Sequence, residues 1–474
     1  MSGDQGSGIR AQGIADWLDA AACPAERPSL DAMSPATRQI HEALDAHARR
    51  TGIAYLHPDE PTVQLDLLGS KQVIAWQEGK AAFLFASEGC WSELPPLYAR
   101  YGTTATAALI AKLKALEHAS AALVCDSGMQ ATALAFDVLM EPFDYAQGKP
   151  GAHAVLMRQV YNKTRSYLEW MAARVGGSIT IVDDGDAAAL AAAIRPDTRF
   201  VFAETFTNPL VRAQDFTALR EVIDRARGIA PAIKLVLDTT IASPWAFKTP
   251  PLRNGVDVVV ASGTKSLGGN DRDMWGYLAT NDTQFANSVM DLIAMRGGIL
   301  DWRRTAAVAA AFDGASEAHA RRSVTASAVA TFLAGHPKVS EVFHPSLPNH
   351  PDRRALDAHY ARHGSMLSFR IAGANEDRTR HFADVLATTA IVRYALSFDG
   401  LATKVNHHRT VSEYFTAPDQ LKRNGFDRLI RLAVGLEHAD DLIAALNWTL
   451  HHGEGISPAD IEHWQRQRAA SLGI

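Results

Sequence analysis

Lys265 lies in the run Asp257-Val-Val-Val-Ala-Ser-Gly-Thr-Lys-Ser-Leu-Gly-Gly269, where an apolar, β-branched stretch stops at hydroxyls, a lysine and glycines. A lysine at the mouth of a buried strand is costly unless it has a task. Its reference pKa of about 10.4 falls in a partly desolvated, cationic site, which leaves a free amine that can act as nucleophile and base. An imine with an aldehyde cofactor suits these surroundings, with the Ser262 and Thr264 hydroxyls holding a phosphate. The reading is pyridoxal 5'-phosphate (PLP).

The phosphate needs more donors. Asp126-Ser-Gly-Met-Gln130 joins a strand to a helix. Gly128 lets the backbone approach an anion, and the helix start at Met129 offers free N–H groups. Alone, this segment reads as readily as a Ser-capped turn; the Ser-x-Thr-Lys segment turns the reading toward an anion site. The cofactor's pyridine nitrogen needs a carboxylate to keep it protonated. Asp238 closes Lys-Leu-Val-Leu-Asp and precedes Lys265 by 27 positions (265 minus 238), room for one crossover unit. Glu204 competes for the role, but in Glu-Thr-Phe-Thr-Asn-Pro209 a structural hydrogen bond is the better expectation. Tyr161 can stack on a ring and move a proton. No metal is expected: His407-His408 and His451-His452 are adjacent pairs, and His344 and His350 sit in a proline-rich loop without cysteines or acids.

The elements that must position these residues are readable. From 104 to 280, apolar β-rich runs alternate with Ala-rich helical runs, the mark of a mostly parallel sheet with crossover helices. Strands are expected at Ala121 to Val124, Ala154 to Met157, Ser178 to Val182, Phe200 to Ala203, Leu235 to Leu237 and Val258 to Val260. Tyr161, Glu204, Asp238 and Lys265 each follow or end one of them. Ligands bind at that edge of an open α/β sheet, so four distant residues converge on one cleft. Residues 281 to 335 read as helical, with Arg303-Arg304 and Arg321-Arg322 as a mostly solvated face. A smaller α/β unit follows, with strands at Val339 to Phe343, Ser365 to Ile371, Ala390 to Ala395 and Leu429 to Val434 and a helix at Ala439 to His451. The expected division is an N-terminal arm with a helical segment (1–95), a large α/β domain (96–335) and a small C-terminal α/β domain (336–474). In the arm, Pro35 to Arg50 has helical spacing, whereas 71 to 97 reads as irregular, broken at Gly79, Gly89, Pro95 and Pro96.

Composition narrows the class. The chain has 474 residues, with 47% hydrophobic and 21% charged, the balance of a soluble globular protein of two or three domains. A net charge of -5 gives no reason to expect nucleic acid or an anionic membrane as partner. Cys23, Cys90 and Cys125 lack CxxC spacing and read as reduced thiols. With no secretory signal pattern and no run of about 18 apolar residues, the expectation is a cytoplasmic protein without a membrane span.

Several segments together carry a resemblance over roughly residues 95 to 450. They are Tyr98-Ala-Arg-Tyr-Gly102, Ser127-Gly-Met129, Tyr161, Glu204 through Asn208-Pro209, Asp238-Thr-Thr240, Ser262-Gly-Thr-Lys265 with Leu267-Gly-Gly269, His336-Pro-Lys-Val339, His344 through Pro351, and Arg431-Leu-Ala-Val-Gly-Leu-Glu437. The chain resembles the Cys/Met-metabolism group of PLP enzymes of fold type I, which includes cystathionine γ-synthase, cystathionine lyases, methionine γ-lyase and homoserine-ester sulfhydrylases. The resemblance implies Lys265 as imine lysine and proton shuttle, Asp238 at the pyridine nitrogen, and Gly128, Met129, Ser262 and Thr264 around the phosphate. It implies that Tyr161 stacks on the ring. Tyr98 and Arg100 would reach across a homodimer to the partner's cofactor phosphate, within a tetramer. Arg431 would grip the α-carboxylate of an amino-acid substrate, with Ser397 and Asn208 beside it.

The departures bear on specificity. The family's Tyr-Gly-Gly-Thr becomes Tyr161-Asn-Lys-Thr164, so Lys163 is expected to meet an anionic or polar leaving group. Leu396 stands where cystathionine γ-lyases place a glutamate for the distal amine. Gly-Gly-x-Glu-Ser becomes Asp399-Gly-Leu-Ala-Thr403, and Gly-His-x-Asp becomes Gly269-Asn-Asp-Arg-Asp273. The expected activity is elimination of the side-chain substituent of a γ-substituted (or β-substituted) L-amino acid. The alternative is γ-replacement, as in cystathionine γ-synthase or O-acetylhomoserine sulfhydrylase. An aminotransferase and a PLP-binding protein without turnover are more distant alternatives.

Overall fold

Short apolar runs that feed Ala-rich helices build a seven-stranded sheet. The structure, a computed structural model, describes residues 29–51, 70–86, 98–140, 152–268 and 271–473. The chain divides into two compact units, 1–72 and 73–474. Most of the expected N-terminal arm, Cys23, Cys90, Gly89, Pro95, Pro96 and Gly269 lie outside the described residues.

The strands are β1 (Ala121–Cys125), β2 (His153–Met157), β3 (Ser178–Val182), β4 (Thr198–Glu204), β5 (Lys234–Asp238), β6 (Val258–Ser262) and β7 (Gly276–Thr280). They are ordered β1-β7-β6-β5-β4-β2-β3. Neighbours from β6 to β3 run parallel, and β7 is antiparallel to both β6 and β1. Helices cover both faces, so the strands read as continuous apolar runs rather than alternating ones. On β4, Phe200 and Phe202 enter one core and Val201 and Ala203 the other.

A second sheet holds β8 (Val339–Phe343), β9 (Met366–Ile371), β10 (Arg393–Tyr394), β11 (Lys404–His407) and β12 (Ile430–Ala433), ordered β10-β11-β12-β9-β8. Val329 and Leu333 of the helix Trp302–Gly335 and Leu442 and Leu446 of the helix Ala439–His452 share its core.

Four local expectations are corrected. Residues 70–86 are helical (Ser70–Ala86), not irregular. A mid-helix glycine such as Gly79 costs only about 1 kcal/mol, too little to stop a helix. Ala390 to Ala395 contains only a two-residue strand, Arg393–Tyr394. Arg322 is fully buried rather than solvated, and its guanidinium donates to the Gly400 carbonyl at 3.1 and 2.8 Å. Strands β7 and β11 were not expected. The first is short and begins with a glycine, and the second, Lys-Val-Asn-His, has a single aliphatic residue.

Candidate active site

The sheet edge gathers the residues that the sequence singled out. Glu204 and Asp238 are the last residues of β4 and β5 and stand in register. Lys265 follows β6 by three residues, and Tyr161 follows β2 by four, heading the helix Asn162–Val175. Gly128 opens the helix Gly128–Met140 after β1.

Lys265 Nζ donates to Ser397 Oγ at 2.5 Å and lies 4.8 Å from the centroid of the Phe398 ring. Its pKa is lowered, first by burial and then by nearby Lys404 and Arg431, against the opposing pull of Asp399 and Asp271. Ser397 comes from the second sheet's segment, so this bond ties the two sheets at the Lys265 amine. Arg431 is 3% exposed on β12. Its Nη1 donates to Asn208 Oδ1 at 3.4 Å and its Nη2 to the Leu396 carbonyl at 2.7 Å. Burial lowers its pKa to about 10, with Tyr161 opposing. Lys265, Ser397, Arg431 and Asn208 therefore form one connected group, with Tyr161 beside the guanidinium.

The two carboxylates stand at adjacent strand ends. Glu204 Oε1 accepts the Tyr161 backbone N–H at 2.5 Å, the structural bond expected of it. Asp238 Oδ1 accepts the Thr240 N–H at 2.8 Å. The Asp238 carboxyl is pushed up to about 6 by burial, against the Thr240 hydrogen bonds. Glu204 is raised well above the usual carboxylate range, by burial and then by Asp238. Two such carboxylates on adjacent strands want a cation between them or a shared proton. Among the described residues no lysine, arginine or histidine is hydrogen-bonded to Asp238, so a protonated ring nitrogen fits that place.

The turns between Lys265 and Gly128 are shaped by missing side chains. A Cβ on Gly128 would stand 2.5 Å from the Ser262 Cβ, and one on Gly276 would stand 2.5 Å from the Gly128 backbone. Only glycine permits these approaches, which bring the start of the Gly128–Met140 helix close against Ser262 and could let an anion meet its free N–H groups. Ser127 Oγ accepts the Gln130 N–H at 3.2 Å, and Met129 Sδ faces Thr164 Oγ1 at 3.8 Å. Thr264 has another engagement: its hydroxyl donates to the Trp275 carbonyl at 3.1 Å and accepts the Trp275 N–H at 3.0 Å. The donor set thus suits a phosphate at the glycine turn, an aldehyde at Lys265 and a ring nitrogen at Asp238, the three handles of PLP.

Tyr98, Arg100 and Lys163 share no hydrogen bond with the Lys265–Ser397–Arg431–Asn208 group among the described residues. Tyr98 and Arg100 make their own pair, the guanidinium 5.3 Å from the Tyr98 ring centroid. Lys163 is exposed on the first turn of the helix that Tyr161 caps. Leu396, at the rim, is 73% exposed. Sequence reasoning did not single out Lys404, which is buried beside the Ser397 turn and bonded to Asp271 at 2.5 Å. A lysine one residue after the altered Asp399–Thr403 segment was the available signal.

The comparisons with known proteins agree with this geometry. The family pattern described as Cys/Met metabolism PLP-dependent enzyme matches residues 81–451. Cystathionine gamma-synthase of Mycobacterium tuberculosis is 33% identical over 362 residues, 74% of this chain and 86% of the relative. L-methionine gamma-lyase of Fusobacterium nucleatum is 27% identical over 391 residues, 80% of this chain and 93% of the relative. The crystal structure of cystathionine gamma-lyase from Lactobacillus plantarum complexed with L-serine superimposes with a TM-score of 0.68 at 27% identity, covering 76% of this chain and 89% of the solved chain.

Proposed function

Because the chain belongs to the Cys/Met metabolism PLP-dependent enzyme family, we propose that it eliminates the side-chain substituent of a γ-substituted L-amino acid. The observation that carries this reading is the Lys265–Ser397–Arg431–Asn208 group, which sets a carboxylate anchor beside a lowered-pKa amine.

Each residue then has a task. Lys265 Nζ would hold the cofactor aldehyde and, once free, take the substrate α-proton. Ser397 Oγ would orient that amine. Arg431 would bind the α-carboxylate through its guanidinium, with Asn208 fixing the fork. Asp238 would hold the ring nitrogen in its charged form, the glycine turn and Ser262 the phosphate, and Tyr161 the ring face. Bound PLP supplies an electron sink that spreads the negative charge left when the α-proton departs. A homodimer in which Tyr98 and Arg100 serve the partner's site would complete the phosphate contacts.

Leu396 bears on the substrate. It offers no carboxylate to a distal ammonium, so cystathionine is a poor candidate. Lys163 would meet an anionic or polar leaving group. A second reading, γ-replacement, is favoured by the 33% identity to a cystathionine gamma-synthase. A panel of homoserine esters, methionine, cystathionine and guanidino-oxy analogues, assayed for ammonia and keto acid with and without an added thiol, separates the two. Elimination predicts keto acid and ammonia without thiol; replacement predicts a thioether product that needs it. Lys163→Gly is expected to lower the preference for anionic over neutral leaving groups about two- to fivefold, the worth of one exposed ion pair. Unchanged relative rates across the panel would remove Lys163 from the account.

A further inference from the structure

Asp271 and Asp399, one from each of two segments that depart from the family pattern, meet at one buried lysine. Lys404 opens β11 and is 7% exposed. Its Nζ donates to Asp271 Oδ1 at 2.5 Å, from the turn after Lys265, and to the carbonyl of Asp399, two residues after Ser397. We propose that Lys404 is a positioning residue for Lys265: it clamps the Lys265 turn to the Ser397 turn and sets a second cation beside the reacting amine. This deepens the reading of Lys265 given above and rests on it.

The turn that carries the clamp is held from every side. Gly400 has φ 108°, and a Cβ there would stand 2.0 Å from Asp271 Oδ2 and 2.8 Å from Lys404 Nζ, so the ion pair lies directly on a glycine. Arg322 donates twice to the Gly400 carbonyl. Glu437 accepts the Thr403 N–H at 2.6 Å and its hydroxyl at 2.7 Å. Ser365 Oγ donates to Asp399 Oδ1. A buried ammonium so fixed cannot move away from Lys265, and burying it without Asp271 would be costly. The charged groups that act on Lys265 are Asp399, Lys404, Arg431 and Asp271.

The signs of two substitutions differ, which separates charge from scaffolding. Lys404→Met removes a cation and leaves the Asp271 carboxylate unpaired; both changes favour the ammonium form of Lys265 and raise its midpoint. Asp271→Asn removes an anion and leaves Lys404 uncompensated, which lowers the midpoint. Lys404→Arg keeps the charge. The full-length chain, freed of cofactor, is pulse-labelled with acetic anhydride across a pH series, and Lys265 acetylation is read by peptide mass spectrometry. The expected result is a midpoint about 0.5–1 unit higher in Lys404→Met, lower by a similar amount in Asp271→Asn, and close to the parent in Lys404→Arg. A shift of the same sign in the first two, or none in either, overturns the proposal. Should Lys404→Met not fold, Asp271→Asn decides alone, because Asp271 is partly exposed: a midpoint that does not fall overturns it. Labelling needs no cofactor, so a wrong assignment of the cofactor lysine appears separately, as PLP-loaded protein whose borohydride-fixed pyridoxyl group maps to another lysine.

Discussion

Replacing Lys265 with alanine is expected to lower kcat by at least about 10³-fold, since it removes the group proposed to carry both nucleophilic and general-base tasks. Folding should survive. The side chain is half-buried, its one hydrogen-bonded partner is the Ser397 hydroxyl, and the strand behind it, Val258–Ser262, keeps its neighbours. The substitution leaves a gap at the position of the amine, so small primary amines added to the assay should restore part of the rate. Rescue of this kind distinguishes a missing proton carrier from a distorted site, which free amines do not repair. The pH profile carries a sign as well. In the proposed role Lys265 must be neutral to accept the α-proton, and its pKa is lowered by burial. Activity in the parent enzyme therefore rises with pH through that lowered value, and residual activity in the alanine variant should lose this limb.

The second large effect belongs to Asp238. Asp238→Asn keeps the size of the side chain and its acceptor for the Thr240 N–H but removes the charge proposed to hold the ring nitrogen. Removing one preorganised electrostatic partner costs about 10²–10³ in kcat, and KM should change far less, because the proposed substrate anchors, Arg431 and Asn208, are untouched. Glu204→Gln is the control. Glu204 sits one strand over and in register, but its carboxylate is bonded to the Tyr161 backbone N–H. Its loss should cost about tenfold or less. A larger kcat loss in Glu204→Gln than in Asp238→Asn would reverse the assignment of the two carboxylates.

Much of this site was legible in the sequence because strand ends are legible. Apolar runs that stop abruptly at Asp238 and before Lys265 announce both the sheet and the edge where ligands bind. Gly128 was readable as a close approach, though not the identity of what it approaches: Ser262 and Gly276 are distant in sequence and meet through β1, β7 and β6. Where chemistry depended on tertiary partners, the sequence was silent. Thr264 looks like a free donor until Trp275 is seen to occupy its hydroxyl. Arg322 looks like one of several surface arginines until Gly400 is seen to need it. Lys404 has no local pattern that marks it as buried, because its strand is polar at three of four positions and is covered by packing rather than by its own apolarity. Gly79 misled in the opposite direction, since a breaker by propensity is overridden by the residues around it.

The central claim is a covalent link between the Lys265 amine and the PLP aldehyde. Purified enzyme supplied with PLP is reduced with borohydride, digested, and the peptides are mapped by mass spectrometry. The account predicts that the pyridoxyl group is found on the peptide containing Lys265 and on no other lysine peptide. Label on another lysine, or none at all in protein that still turns over substrate, would contradict it.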